Sequence, residues 1–388
     1  MSKLTYSKSL LPALFCLWSV TTIAQQDTIT RARQLGISFE GTTGKYNAIT
    51  DVPDVEVGYK TLVLGAGELV RGKGPVRTGV TVILPKGKTD KSYAAAWFSL
   101  NGDGEMTGLP YIDDYGVGYG PVGITNTNSV GIVRDAIGQW CFNKFSKSDL
   151  IDFSFGLPVV GETWDGLLND INGFHINQQH VWDALDSSAT GPVAQGNVGG
   201  GTGMVCYEFK GGSGTASRVF TIDSTQYTLG VFVQANFGRR SDLLIRGMEV
   251  GEEITDLEPI VNEPKRKDGS IIVIVGTNAP LLPGQLKLVA KRVTHGIART
   301  GTFSHNSSGE IFLAFSTAVP GYDKKEKKET WPVLPKWKLD KVFEATVQAT
   351  EEAIINALIA AKDMEGINKN KVFALPHGRL KELLKKGK

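Results

Sequence analysis

Histidine and cysteine are scarce: five and three in 388 residues. Three cysteines cannot build a disulfide framework. Cys16 lies in an N-terminal apolar stretch, and Cys141 and Cys206 read as two small buried residues whose pairing sequence leaves open. Without a CxxC step, and with scattered histidines, no zinc site is supported, and no metal or other cofactor is expected. Neither sign of charge dominates: 42 Lys and Arg stand against 40 Asp and Glu, a net charge of +2. That balance argues against nucleic acid, whose binders carry a basic patch or stripe. Beyond the N-terminus no apolar run approaches the length of a membrane span, so stable membrane insertion is not expected. Internal repeats are absent as well.

The chain does have an export-like start. Lys3 and Lys8 precede the mostly apolar Leu10 to Val20, and Thr22-Ile23-Ala24 follows. This is the order of a secretory signal peptide, with removal of residues 1–24 and a periplasmic or secreted destination for the rest. Glycine, at 46 residues, is the main punctuation of the mature chain. Between glycine clusters lie β-rich runs at Gly79–Leu84, Ala94–Leu100, Arg218–Ile222, Tyr227–Ala235 and Glu310–Thr317. Two segments carry helical periodicity: Pro283–Arg299, with Leu286, Val289, Val293 and Ile297 on one face, and Lys338–Lys362, with Phe343, Val347, Ile354 and Leu358. Sheets covered by helices follow from that alternation. The charged run Tyr322–Glu329 reads as a solvated loop, and the lysine-rich tail from Lys381 as a frayed end.

Gly196-Asn197-Val198-Gly199-Gly200-Gly201-Thr202-Gly203 invites comparison with a phosphate loop. It lacks the Gly-Lys-Ser/Thr ending, and no apolar strand leads directly into it. Tight turns or close backbone approach explain the glycines better, and the loop is kept as possible site architecture.

The sharpest feature is DGSIIVIVGTNAPLLPGQ, in which Ser270 opens the apolar run Ile271–Val275. Such a run reads as a strand buried on both faces, with a hydroxyl at its mouth. Three explanations compete: a turn residue, a conventional serine nucleophile, or an N-terminal nucleophile released by chain cleavage. A conventional elbow would read Gly-x-Ser-x-Gly, which this segment does not, and sequence cannot bring His295 or His305 to Ser270 for a triad. The third option needs no histidine. If the Gly269–Ser270 bond breaks, Ser270 gains an α-amine whose ordinary pKa of about 8 suits a general base. Gly269, without a Cβ, leaves the backbone free to present its carbonyl to Ser270 Oγ.

Five runs in order carry a wider resemblance: LPVVGETWDGLLNDINGFH, GNVGGGTGMVCYEFKGG, GVFVQANFGRRSDLLI, DGSIIVIVGTNAPLLPGQL and GIARTGTFSHNSSGEIFLAFST. Together they resemble the self-processing aminopeptidases, the L-aminopeptidase/D-esterase and β-peptidyl aminopeptidase family of N-terminal-nucleophile-like hydrolases. The resemblance implies an α+β fold, a four-layer αββα sandwich, as a single catalytic domain over residues 25–388. It also implies autocleavage before Ser270, giving an α subunit of residues 25–269 and a β subunit of residues 270–388, which is 119 residues long. Family members commonly assemble as tetramers of αβ units, and that assembly is the implied expectation here.

By the same resemblance Asn236 falls at the oxyanion-stabilising position, and Ser308 and Glu310 at the paired Ser and Glu positions that orient the Ser270 amine. Trp164 stands where members often carry tyrosine; an indole keeps an aromatic pocket wall but offers only an N–H donor. Glu162 could hold the free ammonium group of a substrate, which would favour aminopeptidase over endopeptidase action. The expected function is an exported, autoprocessed serine aminopeptidase releasing N-terminal β-, D- or small L-residues from small peptides, amides or esters. Two alternatives stand beside it: a self-cleaving amidase acting on a non-peptide amide, and an uncleaved binding protein of the envelope.

Overall fold

Burial along the strand opened by Ser270 explains the architecture. In the computed structural model, which describes Met1 and residues 31–146, 157–262, 269–318 and 331–386, every residue from Ser270 to Thr277 is buried. Side chains alternate between the faces of a strand. Ile271, Val273 and Val275 therefore join one core, with Leu286, Val289 and Ala353, while Ile272 and Ile274 join another, with Ile124, Val159 and Phe315. Two faces each buried against apolar partners require a layer on both sides. Each fully buried Ile or Val contributes about 1.5–3 kcal/mol to that stacking.

The layers are two sheets. The smaller contains β1 (Glu56–Leu64), β2 (Val76–Leu84), β5 (Val122–Asn126) and β6 (Val159–Thr163), in that spatial order. The larger contains β3 (Ser92–Gly102), β4 (Val117–Tyr119), β7 (Gly212–Ile222), β8 (Thr225–Asn236), β9 (Gly269–Thr277) and β10 (Ser308–Ser316), in the order β4-β3-β10-β9-β8-β7. The core between the sheets is the one holding Ile272 and Ile274. Outside the smaller sheet lie α1 (Val130–Phe145) and α2 (Gln178–Asp186), whose Val133, Ile137, Val181 and Leu185 meet Val80, Val82 and Val160. Outside the larger lie α3 (Pro283–Ala298) and α4 (Asp340–Ala360). The fold is thus the α+β, four-layer αββα sandwich.

Four of the β-rich runs and both periodic helices agree with their sequence readings to within a few residues, and the Arg218 run extends back to Gly212. Cys141 and Cys206 are buried and unpaired. The tail differs from expectation: His377–Lys386 is a helix, because Leu380 is drawn into the core. Residues 2–30, which hold the signal-peptide reading, and the charged run Tyr322–Glu329 lie outside the described residues.

A buried ion cluster ties the larger sheet to its helices. Glu352 on α4, with no exposed surface, accepts from Arg218 Nη2 of β7 at 2.7 Å and from Arg33 Nε at 2.7 Å. Burial pushes the Glu352 carboxyl up, but Arg33, Arg218 and Asn47 outweigh it and hold the group below the usual carboxylate range. A depressed pKa stabilises the fold above the unfolded-state value and ceases to do so as pH falls through the folded value. Glu352→Ala strands the Arg218 charge in the interior and is expected to destabilise the protein by about 3–5 kcal/mol in denaturant melts.

Candidate active site

Chain direction gathers the site at one end of the larger sheet. Strands β9 and β10 are parallel, joined through α3, so Ser270 and Ser308 both stand at strand starts. Strand β8 runs antiparallel to β9, which brings its last residue to the same end. The register then aligns Asn236, Ser270 and Gly309 across three neighbouring strands, with Gly269 opposite Ser308. Ser270 has the parity of Ile272 and Ile274 and so faces the smaller sheet, as does Asn236 two residues beyond Gln234. Gln234 crosses to that sheet, donating to the Thr125 carbonyl at 2.9 Å and Thr163 Oγ1 at 2.7 Å.

Asn236 is held at both ends of its amide. Its Oδ1 accepts from the Val205 N–H at 2.8 Å, and its Nδ2 donates to the Trp164 carbonyl at 3.0 Å. An asparagine amide carries two N–H donors, so a second remains to be directed at a reacting oxygen. It is the Trp164 backbone, rather than its indole, that fixes Asn236. The Trp164 side chain belongs to the wall of the adjoining cleft.

Ser308 Oγ donates to Glu310 Oε1 at 2.5 Å, and Glu310 is fully buried. The other oxygen, Oε2, has no hydrogen-bond partner among the described residues. Burial pushes the Glu310 carboxyl up, and the Ser308 hydroxyl and neighbouring donors oppose that rise. A buried carboxylate oxygen without a donor is costly, and Glu310 stands opposite Ile271, the residue after Ser270 on β9. At Gly269 the need for glycine is close approach: a Cβ would stand 2.8 Å from Phe237 Cα and 3.0 Å from the Asn236 carbonyl oxygen.

A cleft of about 510 Å³ opens at this end, lined on the near side by Trp164, Asn236, Gly269, Ser308 and His305. That volume suits a small ligand. Ser270, Glu310 and Glu162 are not in its lining. Glu162 shares the parity of Val160, and its oxygens accept from the Glu105 N–H at 3.0 Å and Thr127 Oγ1 at 2.5 Å. Gly104 lies close to both Glu162 and Gly309, since a Cβ there would stand 3.2 Å from Glu162 Oε1 and 3.6 Å from Gly309 Cα. Burial pushes the Glu162 carboxyl up. Of the two histidines weighed for a triad, His305 reaches the cleft, with Nε2 at 3.0 Å from Asp242 Oδ2, while His295 sits beside Thr294.

The glycine-rich loop is packed rather than open. A Cβ at Gly200 would lie 2.1 Å from Gln234 Oε1, and one at Gly201 2.3 Å from the Ser213 nitrogen. Its continuation, Met204-Val205, supplies the N–H that holds Asn236, so the loop serves the site as a positioning element. Sequence reading did not single out Glu208, Glu252 and Glu258, which line the cleft together with Arg239 and Arg240. No spacing signal joins these three before the chain is folded.

The profile of peptidase family S58 matches residues 47–372. The beta-peptidyl aminopeptidase BapA of Sphingosinicella microcystinivorans is 48% identical over 369 residues, which is 92% of each chain. Among solved structures, the L-aminopeptidase D-Ala-esterase/amidase of Ochrobactrum anthropi, described as a prototype of the serine aminopeptidases and a variant of the Ntn hydrolase fold, superposes with a TM-score of 0.86 at 43% identity, covering 92% of this chain and 99% of that one. A beta-aminopeptidase of Burkholderia sp. gives 0.82 at 42% identity, covering 92% and 98%.

Proposed function

The chain belongs to peptidase family S58, and from that premise and the strand-end geometry we propose that it is an exported, self-cleaving serine aminopeptidase with Ser270 as its N-terminal nucleophile. Hydrolase and aminopeptidase follow from the family; the nucleophile, the cleavage and the substrate are the proposal. The observation that carries it is the alignment of Asn236, Ser270 and Gly309 beside a Ser308–Glu310 pair that lacks one donor. Cleavage of the Gly269–Ser270 bond creates an amine at the start of β9, and that amine is the partner Glu310 Oε2 lacks.

In the cleaved enzyme the neutral Ser270 amine takes the proton from its own Oγ as Oγ bonds to the carbonyl carbon of the substrate's N-terminal residue. The second N–H of Asn236 Nδ2 donates to the resulting oxyanion. Collapse breaks the scissile C–N bond, the proton passes to the leaving amine, and water then hydrolyses the acyl ester. Trp164 walls the pocket, and Glu162, which lies outside the cleft lining and already accepts from the Glu105 N–H and Thr127 Oγ1, would have to turn an oxygen to the substrate to accept its ammonium. The relatives' names support peptides with an N-terminal β-amino acid, with D- or small L-residues as further substrates. The αβ units are expected to assemble as tetramers.

Intact-mass spectrometry under denaturing conditions, paired with hydrolysis of β-, L- and D-aminoacyl anilides, tests this. The expected result is two chains, the smaller roughly 13 kDa from its length, and release of anilide from the β-amino acid substrate. One uncut chain, inert to all three, overturns the reading; turnover of non-peptide amides alone moves the substrate class.

Glu310 gives the reading a pH signature. A carboxylate beside an ammonium stabilises its charged form and raises its pKa. Because the neutral amine is the base, the acid limb of kcat/KM follows that pKa. Glu310→Gln removes the charge, so the limb is expected to move to lower pH while kcat falls, as a pH–rate profile would record.

A further inference from the structure

Lys210 is fully buried and forms no ion pair among the described residues. Instead its Nζ donates to the Met204 carbonyl at 2.8 Å and the Gly211 carbonyl at 3.0 Å, with the Gly201 carbonyl at 3.5 Å. A lysine placed in a protein interior without a carboxylate is costly, and the arrangement calls for a reason. Burial pushes its pKa down to about 7, and Cys206 and then the buried Asp165, whose own carboxyl burial pushes up to about 6, oppose that fall.

The carbonyl that Lys210 meets belongs to the peptide whose N–H holds Asn236. Two amides therefore stand in series: Lys210 Nζ–H to the Met204 oxygen, then Val205 N–H to Asn236 Oδ1. In its protonated form Lys210 sets positive charge at the carbonyl oxygen, which polarises the peptide and strengthens its N–H as a donor, and hydrogen bonds in a chain reinforce one another. The same polarisation passes through the Asn236 side chain to its Nδ2 hydrogens.

The local backbone is built to make this contact. Val205-Cys206 pairs with Phe209-Lys210 as a tight hairpin, with Val205 directly opposite Lys210. Its two turn residues, Tyr207 and Glu208, have φ of 51° and 58°, the left-handed region where a primed hairpin turn normally places Asn and Gly. Side chains larger than glycine in that region store strain. The turn is clamped by the Tyr207 N–H on the Phe237 carbonyl at 2.7 Å, by Tyr207 Oη against Thr300 Oγ1 at 2.6 Å, and by Arg240 donating to both turn carbonyls.

Resting on the proposed role of Asn236, we infer that Lys210 is a positioning residue for the oxyanion site, acting through the Met204–Val205 peptide to orient and polarise the Asn236 amide. It touches no substrate. Its contribution grows with the charge on the oxyanion, so its loss should appear in kcat and leave KM nearly unchanged.

The test compares Lys210→Met, Asn236→Ala and the double variant, with rates expressed per mole of cleaved enzyme as counted by intact mass. Lys210→Met is expected to lower kcat by about tenfold to a hundredfold, the scale seen for residues that orient metal ligands from one shell out, taken here by analogy. On the Asn236→Ala background it should change kcat by less than about twofold, because the relay has lost its end. Lys210→Gln, which keeps an N–H donor without the charge, should recover part of the loss. An undiminished kcat in folded Lys210→Met, a rise in KM alone, or a full multiplicative loss on the Asn236→Ala background overturns the inference. Failure of both Lys210 variants to fold makes the residue structural and overturns it as well. If Asn236→Ala itself leaves kcat unchanged, it is the oxyanion reading that fails.

Discussion

Ser270→Ala is expected to be recovered as one polypeptide across position 269, folded and without turnover. On the proposed mechanism two functions vanish with one oxygen. Without Oγ nothing attacks the Gly269 carbonyl, so the bond stays closed; without the cleavage the α-amine stays an amide nitrogen, which is no base. The substitution itself is mild. Ser270 is 5% exposed at a strand start, between β8 and β10, and alanine fits wherever serine does. The expected variant therefore unfolds cooperatively with a midpoint near that of the wild-type protein, and the loss of activity cannot be laid to misfolding. Intact mass under denaturing conditions and an anilide assay report the two effects separately. A cleaved Ser270→Ala chain would move the scission chemistry elsewhere; an uncut chain with turnover would remove Ser270 from the reaction.

How far that reading was legible in sequence differs from residue to residue. The strand after Ser270 was plain, because five consecutive apolar residues cannot lie on a half-exposed surface. Helices α3 and α4 were plain from their periodicity. Helix α1 was not: Val133, Ala136, Ile137 and Trp140 are buried in helical spacing, but Ile132 and Phe142 sit on the exposed face and blur the pattern. The five-residue β5 and β6 are too short for periodicity to separate from loops.

Within the site, residues on one strand start were readable and residues joined across strands were not. Asn236, Ser308 and Glu310 came from the family resemblance; the register places Asn236 opposite Ser270 and Ser308 opposite Gly269. Lys210 lay hidden for a local reason. Its hairpin turns on Tyr207-Glu208, which carries no turn signature, and a lysine beside glycines reads as a surface charge until the fold encloses it. Trp164 taught the reverse lesson, since its contact with Asn236 is made by the carbonyl that every residue possesses. The tyrosine-to-tryptophan departure therefore leaves that anchor intact.

Asn236→Ala is the second large effect: kcat is expected to fall by about a hundredfold to a thousandfold, equivalent to roughly 2.7–4 kcal/mol of transition-state stabilisation. The oxyanion exists only between substrate and acyl-enzyme, so ground-state binding and KM should change little. Alanine also abandons the Val205 N–H and the Trp164 carbonyl, each a group that costs about 1–3 kcal/mol when left unsatisfied in the interior. A lowered unfolding midpoint is thus expected beside the lowered rate, and the two must be read apart. Asn236→Asp separates them, because the carboxylate still accepts from Val205 N–H while losing the donor and setting negative charge against the oxyanion. If donation to the oxyanion is what Asn236 supplies, the aspartate variant should be at least as slow as the alanine one despite keeping the Val205 bond. An aspartate variant that turns over like wild type would reduce Asn236 to a brace for the Met204–Val205 peptide.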